Sequence, residues 1–340
     1  MDITRVLKDL CSAGGVSGGE KDAHRIVTEY LSKYSDDVKA DEFGNIIGFV
    51  GNEKEKGHKP LLLLDAHIDR IGMIVTYIDD DGFLKVGGMG MDRRTLLAQS
   101  VTVFGKENIK GIISTLPPHT ASDSKKSPKL DEIAIDVGMT KEQAEKLVSP
   151  GDLIVIDGFF SEMAGTRVCS PATDDRAGIA VLLYALELLK SETELPFRIA
   201  VVFAAQEEVG GRGAAISSFN VNPDYAIAVD VTFAVSSGVA ASKAGKLGKG
   251  PMIGISPVLS RDLSERLIDI AKKSGIPYQL EAMKGRTGTD ADDISVSRGG
   301  VVTGLVSVPQ RYMHTPCELL DTEDIKASGK LIAEFIKGGC

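Results

Sequence analysis

Histidine and acidic residues recur along this chain directly after apolar runs, where side chains that bind metal or transfer protons could meet. The run 61–64 leads into His67 and Asp69, and the run 199–205 leads into Glu207 and Glu208. Imidazole and carboxylate groups are the ligands that zinc and similar divalent ions prefer. The candidate metal ligands and catalytic residues are His67, Asp69, Asp174, Glu207, Glu208, Asp230 and His314.

Each of these residues alone has an ordinary explanation, because an aspartate after a strand is usually a turn former or a helix cap. The set is more informative than its members. Two histidines with three carboxylates suit two metal ions that share one bridging carboxylate. Two such ions lie roughly 3.5–4 Å apart and lower the pKa of a shared water towards neutrality.

The spacing of these residues along the chain indicates which of them bind metal, which orient a ligand and which transfer protons. His67 and Asp69 are two residues apart, so in extended backbone both side chains leave the same face and Asp69 can orient the imidazole. Glu207 and Glu208 are adjacent and point in different directions, so one can bind metal while the other takes a proton.

Asp174 and Asp175 stand before a predicted helix. We assign Asp174 to the metals and Asp175 to the helix cap.

The apolar runs predict the elements that position these residues. The runs 61–64, 199–205, 225–229 and 301–308 are apolar enough to be strands buried on both faces. Helices are predicted over residues 20–33, 176–190, 262–273 and 323–336. This alternation favours an α/β fold, a mixed and largely parallel sheet with helices on both faces. In such sheets ligands bind outside the carboxyl ends of the strands.

Residues from about 70 to 166 show a different sequence pattern, in which apolar and polar residues alternate and glycines interrupt the alternation. Segments 100–105 and 111–114 are typical of strands, which predicts a β-rich inserted domain. This region also holds a polar loop, 121–129, and a short helix beginning near Thr140, where Thr140 and Gln143 have capping-box spacing.

Composition excludes several classes of function. A net charge of −9 disfavours nucleic acid and anionic membranes as partners. The N-terminus lacks the apolar core of a signal peptide and no segment is apolar enough to span a membrane, so we expect a cytoplasmic protein. The 4 cysteines show no C-x-x-C pair, which predicts reduced thiols. His24 and His58 are expected to be solvated.

Four segments carry a resemblance to a known family. They are DAHIDRIG (65–72), ATDDRAG (172–178), QEEVGGRGA (206–214) and RYMHTPCE (311–318). They resemble the motifs of the tetrahedral (TET-type) metalloaminopeptidases, which include glutamyl and deblocking aminopeptidases, and the likeness covers the whole chain.

The resemblance implies an aminopeptidase that acts on peptides with a free N-terminus. It implies that His67, Asp174 and Glu208 bind one ion, zinc or cobalt. The second ion then has Asp174, Asp230 and His314 as ligands. It further implies Glu207 as general base, with Asp69 behind His67.

The resemblance also implies a domain organisation and an oligomeric assembly. Residues 1–70 and 166–340 form the catalytic domain, and residues 71–165 form a small β-barrel domain used for dimerisation. The dimers assemble into a cage of twelve subunits.

Two positions depart from the pattern of that family. Thr315 stands where serine is more usual, and Arg286 stands where glycine is expected. If Arg286 lined the pocket for the first side chain of the substrate, it would favour acidic residues through a charge-assisted hydrogen bond. An exposed, solvated arginine is the simpler interpretation.

Two other functions are compatible with the residues. A glycoside hydrolase of the cellulase type could use Glu207 with Asp230, although the chain has no tryptophan to line a sugar groove. A non-catalytic assembly protein with a decayed metal site would work through the inserted domain. Complete motifs argue against the second alternative.

Overall fold

The computed structural model describes residues 1–51, 59–115, 129–240 and 244–339. Within these residues, eleven strands form one sheet: β1 (Asp37–Ala40), β2 (Ile46–Val50), β3 (Leu61–His67), β10 (Ser161–Glu162), β11 (Arg167–Ser170), β12 (Arg198–Ala204), β13 (Tyr225–Phe233), β14 (Met252–Ile255), β15 (Gln279–Ala282), β16 (Val302–Arg311) and β17 (Glu318–Asp321).

The remaining strands form a closed barrel: β4 (Gly72–Ile78), β5 (Leu84–Met89), β6 (Ser100–Phe104), β7 (Asn108–Ile113), β8 (Ala134–Asp136) and β9 (Leu153–Ile156). The helices are α1 (Ile3–Cys11), α2 (Lys21–Leu31), α3 (Lys141–Leu147), α4 (Thr173–Leu189), α5 (Arg212–Val221), α6 (Arg261–Lys273), α7 (Ala291–Ser295) and α8 (Thr322–Gly338).

The centre of the large sheet is parallel, with the strand order β12, β3, β13, β16. Antiparallel strands extend it on both sides, β2 beside β12 and β17 beside β16. The predicted mixed, largely parallel α/β sheet is therefore confirmed. Parallel strands direct their carboxyl ends to one edge, which is where the candidate residues lie.

Both faces of this sheet are covered by helices, because the central strands are apolar on both sides. On β3, Leu62 and Leu64 pack in a core with residues of α1, α2, α4 and α8. Leu61 and Leu63 face the opposite core, which includes residues of α5 and α7. All four leucines are at most 6% exposed. Burial on both faces explains why the run shows no polar alternation.

The inserted β-rich region is a six-stranded antiparallel barrel with the strand order β4, β5, β8, β7, β6, β9. Its own core contains Met73, Val101 and Ile154. Thr140 caps α3, and Gln143 reaches back to it, so the predicted capping box is confirmed. Most of the predicted loop, residues 121–128, lies outside the described residues.

Several predicted bounds change. β13 continues to Phe233 and does not end at residue 229, because the apolar and β-branched residues after Asp230 prolong its pairing with β16. His24 is half-buried rather than solvated, and burial lowers the pKa of its imidazole. His58 lies outside the described residues. Within the part of the chain that the structure describes, no helix is both long and apolar enough to cross a membrane.

The core of the large sheet predicts the effect of truncation on stability. Phe203 of β12 is completely buried. Phe203→Ala should lower the free energy of unfolding by about 3–5 kcal/mol, because it leaves a cavity. Urea denaturation of the metal-free protein measures this. Phe159→Ala, at a side chain 70% exposed, is the matched control and should stay within about 0.5 kcal/mol of the parent. Equal losses in both variants would contradict the described packing.

Candidate metal centre

The register of the parallel strands brings His67 and Asp230 together. Asp65 of β3 is the Cα partner of Ala228 of β13. His67 and Asp230 each lie two residues further along their strands, so their side chains leave the same edge of the sheet as neighbours. Both are buried, with exposures of 2% and 7%.

Asp174 lies between the two histidines. Its Oδ1 is 3.0 Å from His67 Nε2, and its Oδ2 is 3.3 Å from His314 Nε2. The backbone at Asp174 and Asp175 is not helical, although both fall within the bounds of α4, and this break turns Asp174 towards the histidines. Each oxygen of one carboxylate thus faces a different imidazole, as a carboxylate that bridges two metal ions requires.

The structure divides the candidate ligands into two groups that share Asp174. One group is His67, Asp174 and Asp230, and the other is Asp174, Glu208 and His314. Within each group the ligand atoms lie within 4.8 Å of one another. This differs from the division that the resemblance implied, which paired Glu208 with His67 and Asp230 with His314. The strand order is the reason, because β13 lies directly beside β3 and carries Asp230 to His67.

Both imidazoles are oriented as metal ligands. His67 Nδ1 lies 3.0 Å from the main-chain oxygen of Asp69, and His314 Nδ1 lies 2.8 Å from the main-chain oxygen of Gly90. A carbonyl oxygen only accepts, so each Nδ1 donates its proton, and each Nε2 is the nitrogen that can bind a metal ion once its own proton has left. Both Nε2 atoms face the Asp174 carboxylate. Fixing the tautomer in this way is typical of metal-binding histidines.

The electrostatics of the centre also suit bound cations. Burial and the neighbouring Asp174 carboxylate raise the pKa of Glu208 well above its usual value. Burial raises the pKa of Asp230 in the same way, again with Asp174 contributing. Glu208 Oε1 is buried without a hydrogen-bond partner. Mutual repulsion of buried carboxylates is relieved by divalent ions, so the residues fit a metal centre.

Asp69 holds two parts of the site together. Its Oδ1 accepts from the main-chain N–H of Glu207 at 2.9 Å, and its Oδ2 accepts from that of Glu208 at 3.3 Å. The Ser17 hydroxyl also donates to Oδ2, at 2.5 Å. Although burial acts to raise it, hydrogen bonds with His67 and Ser17 hold the pKa of Asp69 below its usual value. Asp69 therefore stays ionised and fixes the glutamate turn beside His67.

The two adjacent aspartates have separate roles in the structure. Asp175 Oδ1 accepts from the main-chain N–H of Gly178 at 2.9 Å, which is the hydrogen bond of a helix cap. Its carboxylate belongs to neither ligand group. The predicted capping role of Asp175 is thus confirmed, and Asp174 is the aspartate that faces the histidines.

Sequence reasoning assigned no role to Glu318 or Gly90. Glu318 Oε2 accepts from the main-chain N–H of Asp174 at 3.1 Å, and its Oε1 accepts from that of His314 at 3.0 Å. Burial raises the pKa of Glu318 to about 8. Glu318 could have been suspected because it ends the fourth motif. Gly90 follows a barrel strand, and nothing in its local sequence indicates contact with His314.

A cavity of about 360 Å³ opens beside the ligand groups. Its walls include the five candidate ligands and Glu207. Glu207 belongs to neither ligand group, so its carboxylate is free for proton transfer. Burial raises its pKa above the usual value.

Arg286 does not line this cavity, in contrast to the possibility raised above. Its side chain is 78% exposed, and its Nε lies 3.2 Å from Asp292 Oδ2. The preference for acidic substrates suggested on its account has no support in the structure.

Comparison with known proteins gives consistent matches along the chain. The family model described as M42 glutamyl aminopeptidase matches residues 44–331. The chain is 35% identical to the lysyl aminopeptidase of Pyrococcus furiosus, and the alignment covers 98% of this chain and 96% of that relative.

Two solved structures are close to it. The TET aminopeptidase of a marine sediment archaeon of the Thaumarchaeota has a TM-score of 0.92 and 33% identity, with 98% of this chain and 96% of that one covered. The TET1 peptidase of Pyrococcus horikoshii has a TM-score of 0.85 and 33% identity, with 98% and 99% covered. That peptidase can assemble into a tetrahedron or a large octahedral shell.

The raised pKa values predict how metal affinity depends on pH. Glu208 and Asp230 hold protons to a higher pH than usual, and the pKa of His314, raised to about 9 chiefly by its hydrogen bond to Asp174, acts in the same direction. Metal binding must release these protons, so affinity should fall on acidification by about tenfold per pH unit for each proton released. Calorimetric titration of metal-free protein with Zn²⁺ at pH 8 and pH 5.5 measures this. Equal dissociation constants at both pH values would contradict the described ligand groups.

Proposed function

Since this chain belongs to the M42 glutamyl aminopeptidase family and is therefore a metal-dependent aminopeptidase, we propose that it removes the first residue of peptides at a centre of two divalent metal ions, zinc or cobalt. The observation that carries this proposal is the placement of Asp174. One of its oxygens faces His67 and the other faces His314. The glycosidase alternative is not favoured, because the family and the relative reported above are aminopeptidases.

We assign the ligands as the structure groups them. His67 and Asp230 would bind one ion, and Glu208 and His314 the other, with Asp174 shared between them. When bound, the two ions lower the pKa of a shared water and polarise the scissile carbonyl group. The cavity beside them would place the free amine of the peptide next to the same centre.

The proton transfers fall to Glu207. Its carboxylate lines the cavity but is not part of either ligand group. Burial raises its pKa, which suits a group that accepts a proton and later gives it up near neutral pH. Glu207 takes the proton of the attacking water and passes it to the leaving amine. Asp69 is a positioning residue, because it accepts from the main-chain N–H of Glu207 and holds that turn in place.

We also propose that the chain forms homo-oligomers, with the inserted barrel at the dimer interface and a cage of twelve subunits as the complete assembly. The likeness to TET1 of Pyrococcus horikoshii, which can assemble into a tetrahedron, supports this. The cytoplasmic location stays a prediction.

Exchanging either of two adjacent glutamates separates catalysis from metal binding. Glu207→Gln should lower kcat by about 10²–10⁴-fold, because the proton acceptor is lost, while two metal ions per chain remain. Glu208→Gln should instead weaken binding of one ion, because a ligand is lost. Activity on aminoacyl anilides and metal content by mass spectrometry measure both. Near-normal kcat in Glu207→Gln would exclude Glu207 as the base, and unchanged metal affinity in Glu208→Gln would exclude Glu208 as a ligand.

A further inference from the structure

One part of the wall of the cavity beside the candidate metal centre is formed by residues that the mechanism does not use. These residues include Glu281, Met283 and Leu305, together with Thr232 and Ser307. Glu281 is the only acidic side chain of that part, and no lysine or arginine lines the cavity within the described residues. The charge of this part of the cavity therefore comes from one carboxylate.

Glu281 is tied to the strand that carries Asp230. Asp230 and Thr232 lie two residues apart on β13, so both side chains leave the same face of the strand. The Thr232 hydroxyl donates to Glu281 Oε1. Two residues of strand span about 7 Å. A long side chain of a substrate bound at the metal centre would therefore reach Glu281. Thr232 thus fixes both the position and the direction of this carboxylate.

Among the residues that the structure describes, no cation compensates the charge of Glu281. Burial raises its pKa, and only the hydroxyls of Thr232 and Ser307 act to lower it. A carboxylate that is partly shielded from water and has no cation beside it is less stable than the same group paired with an ammonium or a guanidinium. A basic side chain of the substrate would supply such an ammonium or guanidinium group.

The apolar walls of the cavity suit the stem of such a side chain. Met283, Leu305 and Met313 line it together with Glu281. Lysine and arginine cover apolar surface with their methylene groups and keep the charge at the tip. Arg286, the nearest candidate for binding an acidic substrate, is paired with Asp292 outside the cavity.

We propose that Glu281 selects the first residue of the substrate, and that this enzyme prefers peptides with N-terminal lysine or arginine. The ammonium or guanidinium pairs with the Glu281 carboxylate, and the aliphatic stem lies against Met283 and Leu305. This inference rests on the aminopeptidase function proposed above and adds the substrate class.

Substrates that differ only in the terminal charge test this directly. The zinc-loaded or cobalt-loaded enzyme should cleave lysyl p-nitroanilide with a kcat/KM at least tenfold above that for norleucyl p-nitroanilide, which lacks the ammonium group. Glutamyl p-nitroanilide should be the poorest of the three. Free L-lysine should likewise inhibit more strongly than L-norleucine.

Glu281→Gln keeps the size of the side chain and removes its charge. The ratio of kcat/KM for lysyl over norleucyl substrate should fall about tenfold to a hundredfold, since hydrogen bonds to charged groups contribute more than neutral ones. Glu281→Asp should keep a preference for lysine. Glu145→Gln, at an exposed position of α3, is the matched control and should leave the ratio unchanged.

The outcomes separate the two proposals. Absence of cleavage of every anilide by metal-loaded enzyme would overturn the proposed function itself. Cleavage with a preference for norleucyl or glutamyl substrate, or an unchanged ratio in Glu281→Gln, would overturn the role of Glu281 and leave the function standing. Should Glu281→Gln fail to fold by circular dichroism, the ranking of substrates and of free lysine against norleucine on the unaltered enzyme decides.

Discussion

The repulsion between buried carboxylates at one edge of the sheet is the constraint on which this structure depends. Asp174, Glu208 and Asp230 are gathered where water is largely excluded, and burial raises the pKa of the latter two. Charge of one sign in such a place is costly unless cations compensate it. The surrounding fold keeps the three groups together, so the energy gained on binding divalent ions offsets the repulsion.

Hydrogen bonds to main-chain atoms hold this arrangement. Glu318 accepts from the main chain at both Asp174 and His314, and Asp69 accepts from it at Glu207 and Glu208. The barrel takes part as well, because the Gly90 carbonyl fixes the tautomer of His314. A movement of the barrel against the large sheet would therefore displace His314, a candidate metal ligand. This contact connects the inserted region to the chemistry of the site.

Much of the fold could be predicted because the signals are local. Four apolar runs without polar alternation indicated strands buried on both faces, and the capping box at Thr140 located α3. The candidate ligands were recognisable because they follow strands. Their division into two groups was not, since it depends on β13 lying beside β3 and not on any spacing in the chain.

Contacts between distant segments account for the other differences. Gly90 and Glu281 act through partners more than forty residues away in sequence, His314 and Thr232 respectively. Arg286 was suggested as a pocket residue from its unusual identity, but Asp292, six residues later, pairs with it outside the cavity. The extension of β13 was missed because an aspartate at position 230 was taken as the end of a strand, whereas the pairing with β16 continues through it.

The claim that Asp174 bridges two ions is tested most directly by anomalous diffraction from crystals of the zinc-loaded protein, measured above and below the zinc edge. We expect two peaks roughly 3.5–4 Å apart, one beside His67 and Asp230 and the other beside Glu208 and His314, with one Asp174 oxygen bound to each. A single peak, or two peaks without Asp174 between them, would contradict this account.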